Sequence, residues 1–188
     1  FQGRYRTLHL TWIAFFLTFV VWFNLAPLAT TVKADLGLTV GQIRTVAICN
    51  VALTIPARVL IGMLLDKFGP RVTYSSILIF SAIPCLLFAS AQDFNQLVVA
   101  RLLLSIVGAG FVIGIRMVAE WFPPKEIGLA EGIYGGWGNF GSAFSALTMV
   151  ALAGFLSFSG GFELPTGAVL NWRGAIALSG IVSAAYGL

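Results

Sequence analysis

Gly62-Met63-Leu64-Leu65-Asp66-Lys67-Phe68-Gly69-Pro70-Arg71 is the stretch on which the reading of the fold turns. Its charged part, Asp66–Arg71, separates two apolar runs, Thr45–Leu65 and Val72–Ser90. Each run reaches roughly the 20 residues that a membrane-spanning helix needs. Working outward, Leu8–Ala29 precedes them, and Leu97–Ala119, Gly132–Phe158 and Gly174–Leu188 follow, the last cut short by the end of the chain. The runs are continuous and do not alternate, which favours helices over a barrel. Short polar links join them at Lys33–Asp35, Asp93–Gln96 and Pro123–Glu131; a longer one, Ser159–Asn171, holds glycines and Pro165. The fold class expected is an all-α membrane protein, a bundle of six spanning helices with the sixth truncated.

Composition agrees. Of 188 residues only 10% are charged and 59% are hydrophobic, and mean hydropathy is +0.95. A soluble domain carries about 25% charged residues. The net charge of +4 is read as orientation in a bilayer, not as nucleic-acid binding. Alternate links differ in basic residues. Arg4, Arg6, Lys67, Arg71 and Lys125 fall on one side, Lys33, Arg44 and Arg173 on the other. That bias places the N-terminus and the Asp66–Arg71 turn in the cytoplasm. Trp12, Trp121 and Trp172 lie near segment ends, where interfacial anchors belong. Cys49 and Cys85 sit inside apolar runs, so no disulfide is expected, and His9 reads as an interfacial side chain. No metal cluster, cofactor loop or nucleophile–base pair appears, so no catalytic residue and no cofactor are assigned. The chain begins without methionine and ends inside an apolar run, as part of a longer protein would.

Arg58 lies about eight residues inside the second run, ~12 Å from its charged end. An arginine at that depth costs about 2.5–3.5 kcal/mol to insert. An anion or a water-filled path is therefore expected to face it, which points to anion transport. Arg101 and Arg116 stand about four residues from their run ends and are expected to snorkel to the interface. Pro56 loosens the helix before Arg58, and Asn24 and Pro27 bend the first span or line a cavity.

The Gly62–Arg71 stretch resembles the G-x-x-x-D-(R/K)-x-G-x-(R/K) loop of the major facilitator superfamily of transporters. In physical terms Gly62 admits a neighbouring helix, Gly69 makes a tight turn, and Asp66, flanked by Lys67 and Arg71, pairs with basic groups or caps a helix across the bundle. Such a charge lock can bias one of two packings. The fifth run begins Gly132-Ile-Tyr-Gly135-Gly136-Trp137-Gly138-Asn139-Phe140-Gly141. With Phe122–Lys125 before it, this resembles the signature of the nitrate/nitrite porter family within that superfamily. Gly132, Gly136, Gly138 and Gly141 are its packing glycines.

The resemblance covers the whole chain, as the N-terminal six-helix half of such a protein; the C-terminal half is missing. It implies that Arg58 salt-bridges nitrate, that Asn139 and Gly135 lie beside the bound anion, and that Phe111 stacks on it. It also implies a nitrate or nitrite substrate, a C-terminal half as partner, a lipid environment and a bacterial inner membrane. A check independent of the resemblance is depth: Arg58, Asn139 and Phe111 each lie ~12–13 Å from the same edge, near the midplane where such transporters bind substrate. Arginine's planar fork suits a planar oxyanion. No carboxylate lies deep in the spans, so nitrate/nitrite exchange and proton symport both stand. A carrier of another anion, such as a sugar phosphate or small carboxylate, and a non-transporting nitrate sensor are the alternatives.

Overall fold

The computed structural model describes residues 3–165 and 167–188, and almost all of them are helical. The first span is α1 (Gly3–Phe23), followed by a 3-10 turn at Ala26–Leu28 and α2 (Ala29–Asp35). Pro27 sits in that 3-10 turn, where its missing N–H is not needed. The second span is α3 (Val40–Ala52), started by a reciprocal Thr39/Gln42 cap. It continues as the first arm of α4 (Thr54–Ser90). The chain turns within α4 at Gly69, where φ is +77° and ψ 168°. That region is strained for residues with a Cβ, so the turn between the second and third spans needs glycine. A groove of about 420 Å³ lies between the two arms, lined by Ile61, Leu64 and Phe68 on one side and Val72, Ser76 and Phe80 on the other.

The fourth span is divided. α5 (Phe94–Ser105) is capped by Asp93, whose carboxylate accepts the Gln96 N–H at 2.9 Å. A 3-10 segment, Ile106–Ala109, joins it to α6 (Gly110–Trp121). The fifth span is α7 (Pro124–Phe155), with proline in its first turn. A short antiparallel hairpin follows, β1 (Phe162–Glu163) against β2 (Val169–Leu170). Asn171 then caps α8 (Trp172–Gly187).

α7 packs along α1, and α8 along the second arm of α4. Two signature glycines set the α1–α7 approach. A Cβ on Gly138 would fall 1.7 Å from Phe15 Cδ1, and one on Gly141 2.3 Å from the Phe16 carbonyl oxygen. Gly132 and Gly136 point the other way, into open space, on a groove with Leu129, Trp137 and Phe140. The signature therefore serves two faces of one helix, one already closed.

Two expectations are corrected here. Arg101 does not snorkel: it is 1% exposed. α5 starts at Phe94, a turn before the hydropathy rises at Leu97, so Arg101 is deeper than counted and lies on the buried face with Leu97, Ala100 and Leu104. Trp172 is not an interfacial anchor. It is buried, and its Nε1–H donates to Asp35 Oδ2 at 2.9 Å, beside an Arg173 that also reaches Asp35.

Candidate functional site

Two of the three spans that carry the deep candidates, those of Arg58 and Phe111, are interrupted, and the interruptions meet. Between α3 and α4 stands Leu53, outside both helices; its N–H donates to Ser105 Oγ at 3.2 Å. Thr54 Oγ1 donates to the Ser105 carbonyl at 3.2 Å. Backbone groups released by a helix break inside a bilayer must find partners within the protein, and here each break supplies the other. Trp22 and Asn50 close the neighbouring turn, Trp22 Nε1–H to the Asn50 carbonyl at 2.7 Å and Asn50 Nδ2 to the Trp22 carbonyl at 2.9 Å. Pro56 was the sequence signal for the first of these breaks.

A second anchor lies at the opposite end of the same two spans. Arg116 Nη1 pairs with Asp66 Oδ1, and its Nε donates to Glu120 Oε1 at 2.8 Å. Arg116 thus ends in a charge cluster on the Gly62–Arg71 turn, a pairing across 50 residues. Lys67 lies over the Phe68 ring. The Thr54–Ser105 and Asp66–Arg116 pairs fix the register of the two spans, which run in the same direction. Arg58, four residues past Thr54, and Phe111, six past Ser105, are therefore offset by only ~3 Å along the bundle axis.

Their surroundings differ. The buried stripe of the first α4 arm is Thr54, Ala57, Ile61 and Leu65. Arg58 stands on the flank of that stripe, on the i, i+4, i+8 row with Gly62 and Asp66, and is exposed. Among the described residues it has no hydrogen bond and no ion pair. Phe111 is half-buried, its ring 5.4 Å from Phe15 and 6.2 Å from Tyr134. Asn139 is exposed and donates through Nδ2 to the Gly135 carbonyl at 2.7 Å, one turn earlier. Gly135 has nothing within 4 Å of where a side chain would begin. No ring contact or hydrogen bond joins Arg58, Phe111 and Asn139 to one another among the described residues. Arg58 and Phe111 lie close in level along the bundle, and Arg58 and Asn139 are each exposed.

Sequence reasoning missed the inner polar cluster. Arg101 Nη1 donates to Asn24 Oδ1 at 3.1 Å, Asn24 Nδ2 donates to Ser179 Oγ at 3.0 Å, and the guanidinium lies 5.0 Å from the Phe88 ring centre. No acid faces it among the described residues. Asn24 therefore ties three helices together and lines no open cavity. Tyr134 was also missed: it is buried between Phe15 and Phe111, and its hydroxyl donates to the Phe111 carbonyl at 3.0 Å.

Residues 11–188 match the family model of the Major Facilitator Superfamily. The chain is 62% identical, over its whole length, to the nitrate/nitrite transporter NrtP of a Picosynechococcus strain, and covers 38% of that protein. It is 61% identical to NrtP of Nostoc punctiforme, covering 36% of it. Over 90% of its length it is 33% identical to a probable nitrate/nitrite antiporter, NarK1, of Thermus thermophilus, covering 38% of that one. The chain thus spans less than two fifths of the curated relatives it matches. Among solved structures, a bacterial homolog of the human lysosomal transporter Spinster, inward-facing and occupied, superposes with a TM-score of 0.74. The match covers 98% of this chain and 43% of that one at 20% identity, and so concerns the fold alone.

Proposed function

We propose that this chain, which belongs to the nitrate/nitrite porter family of the Major Facilitator Superfamily, supplies one six-helix half of a carrier that moves nitrate, and nitrite, across a membrane by alternating access. It is an integral, multi-pass membrane protein. We assign it to a bacterial plasma membrane, with its N-terminus and the Asp66–Arg71 turn on the cytoplasmic side, a carrier without catalytic chemistry of its own.

One observation carries the reading: Arg58, at mid-span beside a broken helix, has no partner among the described residues to neutralise it. A cation left that way in a bilayer is held for a ligand or a pathway. In the proposed site its fork binds the flat oxyanion through two oxygens. Asn139 adds the second amide hydrogen, Gly135 leaves room for the anion's approach, and Phe111 offers a ring face. The second half closes over the uncovered face. The Asp66–Arg116–Glu120 cluster biases the packing at one end by favouring the state in which it is intact.

Uptake of labelled nitrate into vesicles bearing the transporter that contains this chain tests the assignment. Arg58→Ala is expected to weaken nitrate binding at least ~30-fold, the loss of about 2 kcal/mol from charge-assisted hydrogen bonds. Arg58→Lys is expected to recover little, because a point charge lacks the fork. Unchanged nitrate affinity in Arg58→Ala overturns the site. Displacement of nitrate by a sugar phosphate or small carboxylate at equal concentration overturns the substrate. Proton movement coupled to nitrate entry separates symport from nitrate/nitrite exchange.

A further inference from the structure

Tyr134 is buried among rings, where phenylalanine would fill the same volume without a hydroxyl to satisfy. Its ring is near-parallel to Phe15, 25° and 4.9 Å away, and to Phe111, 20° and 6.2 Å away. The fourth span makes room for it. A Cβ at Gly114 would fall 2.1 Å from Tyr134 Cζ and 2.2 Å from its hydroxyl oxygen. The hydroxyl donates to the Phe111 carbonyl at 3.0 Å. Its oxygen lies 3.4 Å from the hydroxyl of Tyr74, buried on the third span, which is therefore left as the donor. The two phenols form a chain from the third span, through the fifth, to one backbone carbonyl on the fourth.

That carbonyl belongs to the second residue of α6, directly after the 3-10 segment Ile106–Ala109. A 3-10 stretch inside a long helix is a point of adjustable geometry. Its outgoing direction decides where the Phe111 ring lies. Tyr134 grips that point twice, by a hydrogen bond to the Phe111 backbone and by a parallel contact with the Phe111 ring. From this geometry, and resting on the nitrate reading above, we infer that Tyr134 is a positioning residue for the transported anion: it fixes the Phe111 ring beside the Arg58 level and so sets affinity for a flat oxyanion.

The test is vesicle uptake by the transporter containing this chain, with nitrate (planar) and chlorate (pyramidal) as substrates. Tyr134→Phe keeps both ring contacts and the fit against Gly114, and removes only the hydroxyl. It is expected to raise the nitrate KM about 5-fold, the size of one neutral hydrogen bond, with kcat little changed and the thermal midpoint modestly lowered, because the buried Tyr74 hydroxyl loses its acceptor. The preference for nitrate over chlorate falls with it. In a Phe111→Ala background, the same substitution is expected to add nothing, since Tyr134 acts through that ring. A wild-type KM and selectivity in Tyr134→Phe overturn the inference, as does an effect that simply adds to that of Phe111→Ala. A fall in thermal midpoint without a change in selectivity also overturns it, by reducing Tyr134 to packing. Arg58→Ala, run alongside, separates the two claims: intact nitrate binding there sinks the substrate reading, whereas its loss with a silent Tyr134→Phe sinks only this one.

Discussion

The Arg101 guanidinium donates to the side-chain oxygen of Asn24 at 3.1 Å, deep in the bundle, with an aromatic face and, among the described residues, no carboxylate beside it. Asn24 gives its own amide hydrogen to Ser179 at 3.0 Å. One amide thus connects the first, fourth and sixth spans.

Asn24→Leu is expected to destabilise the protein by about 2–3 kcal/mol, because it leaves a buried cation without its acceptor. Adding Arg101→Met should recover most of that loss, since an apolar pair of similar volume often replaces a buried polar one without penalty. Thermal unfolding in detergent reads both. A double variant as unstable as the sum of the singles sinks the account.

Glycine replacements in α7 are expected to divide by face. Gly138→Ala drives a methyl into Phe15 and should cost about 1–3 kcal/mol, the usual range for overpacking. Gly132→Ala meets open space, and alanine is the better helix former by up to ~1 kcal/mol. Unfolding midpoints of this chain and of the assembled transporter decide it. An equal loss at Gly132 in the assembled protein alone would mean that a partner helix covers that face.

Asp66 and Arg116 are both substantially exposed, so solvent and salt screen their pair and it adds little to stability. Asp66→Asn should therefore leave the thermal midpoint nearly unchanged while altering transport rate. An accessibility assay with single cysteines at the two ends of the carrier should report a changed balance of its open states. Equal populations in wild type and variant would remove the turn from any switching role.

Cys85 is fully buried against Asn24 and the sixth span. A membrane-permeant maleimide should label it only after unfolding. Rapid labelling in the folded protein would place that interface wrongly.

Much of this arrangement was written locally in the chain. Runs of apolar residues marked the spans, and one charged stretch with glycines at fixed spacing marked a turn that the structure makes with a single left-handed residue. Depth was the weaker inference, because hydropathy begins to rise after a helix has started. α5 is already one turn old, capped by Asp93, when Leu97 appears, and that turn puts Arg101 inside the bundle. The break at Leu53 had a faint signal in Pro56 and that at Ile106–Ala109 had none, and nothing along the chain said that the two would share Ser105. The fit of Tyr134 over Gly114 and the Asp66–Arg116 pair join residues on different spans, and no periodicity within one helix encodes such a match.

The reversal at Gly69 is made by one residue, with helix on both sides and no slack between them. The two arms of α4 are consequently hinged like a pair of stiff levers on a short pin. Any tilt of the arm bearing Arg58 is handed to the arm bearing Tyr74, and through it to the phenol chain that ends at Phe111. A flexible residue inserted beside Gly69 is expected to loosen that coupling.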